Sequence, residues 1–151
     1  MKIAFLVDSF PKLSETFILN QITGLLQRGH DVKVFSREAG DEGLVHADFD
    51  AWRLGERTEY FGDEIVYAPD NKLKRVIEAA QIYRDSDGSS RQALLRSLNT
   101  PRWSKAGVSF TTFYTLLAFL NRGLDTFDIV HCHFGPAGAL AALLKQCGVI
   151  R

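Results

Sequence analysis

At 151 residues, 46% apolar and 24% charged, the chain is long enough for one domain with a real core. Its 18 Lys and Arg balance 18 Asp and Glu, so it lacks the concentrated basic footprint that nucleic-acid binding needs, and no nucleic-acid partner is expected. Its 2 cysteines, Cys132 and Cys147, fall in segments that read as buried, which argues against a disulfide framework and for reduced thiols in the cytoplasm.

Met1-Lys2 leads straight into Ile3-Ala4-Phe5-Leu6-Val7, and no signal peptide is read there. A short continuous apolar run of this kind is the pattern of a parallel strand covered on both faces. The periodicity breaks from Asp8 to Leu13, and Pro11, which cannot donate to a ladder, lies past the strand end. Ser14 is placed to cap a helix whose first turn carries Glu15 and whose apolar face is Ile18, Ile22, Leu25 and Leu26. Gly29 suits the left-handed position after the last turn, and Val32-Lys33-Val34-Phe35 restarts an extended run, completing a βαβ unit. Ligands of open parallel sheets gather beyond the carboxyl ends of the strands, so the loop from Asp8 to Ser14 is where one would be met. Free N–H groups at the helix start suit a phosphate or a sugar hydroxyl. The plainer reading is that Ser14 and Glu15 only cap the helix.

The middle changes character twice. From Glu38 to Asp70 acids dominate, among them Asp41, Glu42, Asp48, Asp50, Glu56, Glu59, Asp63 and Glu64, and the stretch reads as a solvated excursion leading to a strand at Ile65-Val66-Tyr67. From Lys72 the sign reverses through Lys74, Arg75, Arg84, Arg91, Arg96, Arg102 and Lys105, on two helices around a loop from Asp85 to Ser90. The ordinary explanation is a charged outer face; the functional one is peripheral contact with an anionic membrane surface. The apolar helix Val108 to Leu120 is too short to span a bilayer, which takes about 20 apolar residues, and is expected in the core.

Near the end, Ile129-Val130-His131-Cys132 reads as a strand, on which His131 and His133 share a face while Cys132 points away. A metal pair completed by Cys147 or His46 is the weaker reading, because no second cluster has ligand spacing and Cys147 lies at the far end of the following helix. Pro136 opens a helix through Ala137, Leu140, Ala141, Leu144 and Cys147, with Gly148 as its stop and a further strand expected from about Val149. Gly-x-Gly-x-x-Gly after the first strand and Gly-Lys-Ser/Thr are both absent, which excludes the dehydrogenase and P-loop readings; no cofactor and no metal are expected.

Phe10-Pro11 followed by Ser14-Glu15-Thr16-Phe17-Ile18, then Arg28-Gly29-His30-Asp31-Val32, and later Asp128-Ile129-Val130-His131-Cys132-His133-Phe134-Gly135-Pro136, resemble the N-terminal domain of bacterial group 1, family 4 glycosyltransferases, nearest to those building exopolysaccharide or colanic-acid-type polymers. The resemblance covers both ends of the chain well and its middle poorly. It implies an α/β, Rossmann-like parallel sheet flanked by helices, the N-terminal half of a GT-B type two-domain retaining glycosyltransferase. Residues 1–151 would be the acceptor-side domain, an amino-terminal fragment that should not transfer sugar by itself. The nucleotide-sugar donor would be held mainly by a second domain, and the acceptor would be a glycan or a lipid-linked glycan. Substrate-binding positions implied are Phe10, Pro11, Ser14, Glu15 and Thr16 on the first loop and His133, Phe134 and Gly135 on the second, with no catalytic residue among them. The competing expectation is a free-standing α/β ligand-binding or interaction module. The expected place is the cytoplasm, with the inner membrane face as a peripheral address.

Overall fold

Strand β1, Lys2–Phe10, buries Ile3 through Val7 without a break, so neither of its faces meets water and the strand must lie inside a covered sheet. In a computed structural model of the chain, which describes residues 1–40, 46–99 and 105–151, β1 pairs in parallel with β2, Asp31–Ala39, on one side and with β4, Ile129–Cys132, on the other. Strand β3, Thr58–Tyr60, extends β2, giving the parallel order β3-β2-β1-β4. Helix α1, Thr16–Gln27, lays Ile18, Leu19 and Ile22 on the face formed by Ile3, Phe5, Val7, Val32 and Val34. On the opposite face Leu6 is in register with Phe35, whose ring meets Phe127 edge-on at 5.8 Å. The Rossmann-like α/β class expected from the βαβ pattern is the one observed.

The chain divides into two compact units. The first, residues 1–63 and 124–141, holds the sheet, α1 and the short helices α2, Ala47–Ala51, and α3, Leu54–Arg57. The second, residues 64–123 and 142–151, holds α4, Lys72–Asp85; α5, Gly88–Ser97; α6, Lys105–Val108; and α7, Thr111–Leu117. Helix α8, Phe134–Cys147, gives its first half to the first unit and its second half to the second. In the second unit Thr112 donates to the Ser97 carbonyl at 2.6 Å, fastening α7 to α5 beneath the buried Leu94, Phe113, Tyr114 and Leu116.

Several expectations are corrected. The third strand is Thr58–Tyr60, not Ile65-Val66-Tyr67, which carries no ladder and leaves Val66 and Tyr67 exposed. An edge strand needs pairing on one side only, and the polar Thr-Glu-Tyr run secures it with a Lys33–Glu59 ion pair and a Thr58 hydroxyl bond to the Leu54 carbonyl. The acidic excursion also forms α2, α3 and β3; its Asp41 and Glu42, like Arg102 of the basic run, lie outside the described residues. No strand starts at Val149: Gly148 at φ 82° sends its N–H to Lys145 and that of Val149 to Leu144, a helix stop that spends the Val149 donor. Ser14 does not cap α1 either, for it sits inside a 3₁₀ turn, Leu13–Glu15, and Glu15 takes the cap position without a side-chain bond. The loop from Asp85 to Ser90 shrinks to Ser86 and Asp87, where Asp87 accepts from the Ser90 N–H at 2.9 Å and starts α5. The apolar stretch from Val108 to Leu120 breaks at Phe110, φ 60°, yet Phe113, Tyr114, Leu116 and Phe119 are buried as expected.

Candidate functional site

Two loops leave the carboxyl end of the sheet in the first unit, one after β1 and one after β4. Parallel pairing of β1 with β4 makes them neighbours, because equivalent ends of parallel strands lie on the same side of the sheet.

The first loop turns at Phe10-Pro11, whose peptide bond is cis. Phe10 faces inward, 2% exposed, against Phe49. Its carbonyl accepts from the Gly40 N–H at 3.3 Å and from the Tyr60 hydroxyl at 3.1 Å, so the ends of β2 and β3 both hold the turn. Gly40 is required there, since a Cβ at that position would stand 1.6 Å from the Pro11 carbonyl oxygen. Between the turn and Phe49 and His46 the free space is about 10 Å³, enough for one water at most, so this side of the loop is packed. Lys12 then pairs with Glu15 at 3.1 Å, while Ser14 and Thr16 stay exposed. No side chain caps the start of α1, into which the 3₁₀ turn Leu13–Glu15 leads directly.

The second loop begins with His133, whose N–H continues the β4 ladder to the Leu6 carbonyl at 3.2 Å. Its ring lies nearly parallel to Phe5 at 5.8 Å, edge-on to Phe17 at 5.5 Å and 4.6 Å from His131. The two histidines thus share a face, as the strand alternation requires. Among the described residues His133 Nε2 is buried without a hydrogen-bond partner, an arrangement that costs about 1–3 kcal/mol in a folded protein. Burial, then the neighbouring His131, lower the His133 pKa, and Glu15 opposes them by favouring the imidazolium. At neutral pH the ring is therefore uncharged, able to donate or accept at Nε2 according to its tautomer. Phe134, at φ 70° and 55% exposed, opens α8 with Gly135 and Pro136 exposed beside it, and its ring meets Phe17 edge-on at 6.3 Å.

The structure thus brings Glu15 into the electrostatic range of His133 and sets exposed Phe17 against both His133 and Phe134. Phe10 and Pro11 stand behind, shaping the turn. Sequence reasoning did not single out Phe17, Gly40 or Tyr60; Phe17 had a signal, since it directly follows the Ser14-Glu15-Thr16 cluster, whereas Tyr60 had none. Among the described residues no group of three His, Cys, Asp or Glu side chains converges as a metal-ligand set.

A four-stranded parallel sheet flanked by helices, with polar and aromatic side chains gathered at the carboxyl ends of two adjacent strands, defines a Rossmann-like α/β domain. Comparison with known proteins narrows this. Over its whole length the chain is homologous to glycosyltransferases of exopolysaccharide biosynthesis: it is 33% identical to WcaL of Salmonella typhimurium and 34% identical to WcaL of Escherichia coli, both named for colanic acid biosynthesis, and 31% identical to AmsK of Erwinia amylovora, named for amylovoran biosynthesis. Each match takes in 100% of this chain, which spans about 35% of the length of these relatives. No family model matches the chain, and no solved structure matches it.

Proposed function

We propose that the chain is the N-terminal, acceptor-side part of a retaining glycosyltransferase that moves a sugar from a nucleotide-diphosphate sugar to a glycan or lipid-linked acceptor in cell-surface polysaccharide synthesis. The homology over the full length supports the class, and the buried, unpartnered Nε2 of His133 is the observation that carries the site. A buried polar atom kept without a partner, at the mouth of a parallel sheet, fits a position that a ligand completes. In this reading the neutral His133 hydrogen-bonds an acceptor hydroxyl. Glu15 accepts from a second hydroxyl. Phe134 and Phe17 offer ring faces to the apolar side of a sugar. Ser14 and Thr16 stand where donor phosphate or acceptor oxygens arrive, on the frame set by Phe10 and Pro11, and the exposed Gly135 lies beside Phe134 on the second loop. The nucleotide-sugar is held mainly by chain beyond this part, so residues 1–151 alone are inactive. Contact with the inner membrane face belongs to the same reading, because a lipid-linked acceptor is presented there.

Calorimetric titration of the 151-residue chain tests this. Glycan acceptors should bind, and Glu15→Ala and His133→Ala should each weaken binding, Glu15→Ala while leaving the unfolding temperature nearly unchanged. Tight binding of a nucleotide-sugar by this chain alone would overturn the donor assignment. Glycan affinity indifferent to both substitutions would overturn the site.

A further inference from the structure

Along the ends of β1 and β2 and the loops that follow β1 and β4, the cations among the described residues are Lys12 and Arg37, and both are spent on carboxylates. Lys12 holds Glu15 Oε1 at 3.1 Å, and Arg37 meets Asp8 at 2.8 Å and Glu38 at 3.5 Å. Acids outnumber bases in these pairs, so this end of the sheet keeps an excess of negative charge. His133 does not redress it, because burial and the adjacent His131 favour the uncharged ring. Nor does the positive end of α1, where Glu15 already occupies the cap position.

Glu15 is the acid that the candidate site feels. Its side chain is 17% exposed, its charge acts on the His133 ring, and two residues further on Phe17 lies edge-on to that ring at 5.5 Å and to Phe134 at 6.3 Å. With Lys12 on one carboxylate oxygen, the other can accept from a hydroxyl. It takes nothing from a second carboxylate, which has no proton to give and repels it where water screens poorly. The rings favour the same choice. A phenyl face carries the negative pole of the ring quadrupole, so exposed Phe17 and Phe134 suit the C–H side of a pyranose and not an anionic substituent. Phe134 presents its ring from φ 70°, a left-handed conformation costly for a bulky residue and of the kind that gathers at ligand clamps.

We propose that the acceptor sugar received at Phe17, His133 and Phe134 is an uncharged one, and that Glu15 is the specificity-determining residue that turns uronic acids away. The inference rests on the acceptor-side reading of this site and adds to it the class of sugar. It is read as a difference between matched ligands, so it and the acceptor reading fail separately.

NMR titration of the 151-residue chain, following the ring signals of Phe17 and Phe134, tests it with the methyl glycosides of glucose, galactose and mannose against the corresponding methyl uronides. Each pair differs only in a carboxylate for a hydroxymethyl group, and working above neutral pH keeps His133 uncharged throughout. Where a pair binds, the neutral glycoside should bind about tenfold or more tightly than its uronide. Glu15→Gln, which keeps the shape and removes the charge, should narrow that gap by raising uronide affinity. Lys12→Gln, which removes the cation paired with Glu15, should widen it. Uronides that bind as tightly as their neutral partners, or a gap that Glu15→Gln leaves intact, overturn the proposal while glycan binding at the site stands. Binding of neither member of any pair overturns the acceptor reading itself, and this inference with it.

Discussion

His133 is held uncharged by its surroundings, and that has a measurable sign. Its pKa in the folded chain lies below the ordinary 6.5, chiefly because the ring is buried and secondly because His131 is beside it. As pH falls through about 6.5 the unfolded chain takes up the proton first, so the stability contributed by the neutral ring is full above that pH and declines below it, toward the lower folded value. NMR titration should place the imidazole midpoint below 6.5, and Glu15→Gln should lower it further, because the Glu15 carboxylate is the influence that favours the imidazolium. A midpoint that rises in Glu15→Gln would mean that the carboxylate does not face the ring. A positive charge at His133 would also turn Nε2 into a donor only, so glycan binding that depends on its acceptor character should weaken over the same pH range.

At the scale of elements, the loop after β1 is braced by the ends of β2 and β3. Gly40→Ala should destabilise the chain by about 1–3 kcal/mol or more in urea unfolding, as its methyl meets the Pro11 backbone and the turn or the end of β2 must move. A neutral outcome would show that the turn yields easily. The elements that the sequence announced were those with a strong internal pattern: the buried run of β1, the apolar face of α1, the glycine stop after it and the alternation that pairs His131 with His133. Elements whose existence depends on distant partners were hidden. Strand β3 is polar and forms because β2 offers it an edge, and the start of α1 moved to Thr16 because Leu13–Glu15 tightened into a 3₁₀ turn.

At the scale of the whole molecule, the sheet carries an apolar groove that its own helices leave open. It holds about 550 Å³ beside α1, lined by Ile3, Phe5, Leu25 and Ile129 with Asn20, Gln21, Arg28 and His131 around them. The native chain should therefore enhance the fluorescence of anilinonaphthalene sulfonate, and Ile129→Asp should reduce the signal; no enhancement would mean that the groove is closed in solution. Phe5 belongs to this groove, to the core beneath α1 and to the stack under both histidines. One ring is thus filler, wall and floor together, and any drift at position 5 is felt at the imidazoles. Under the proposed reading, a library built to alter acceptor preference should vary Phe5 jointly with His133, since single changes at either would be judged by a partner still shaped for the old pair.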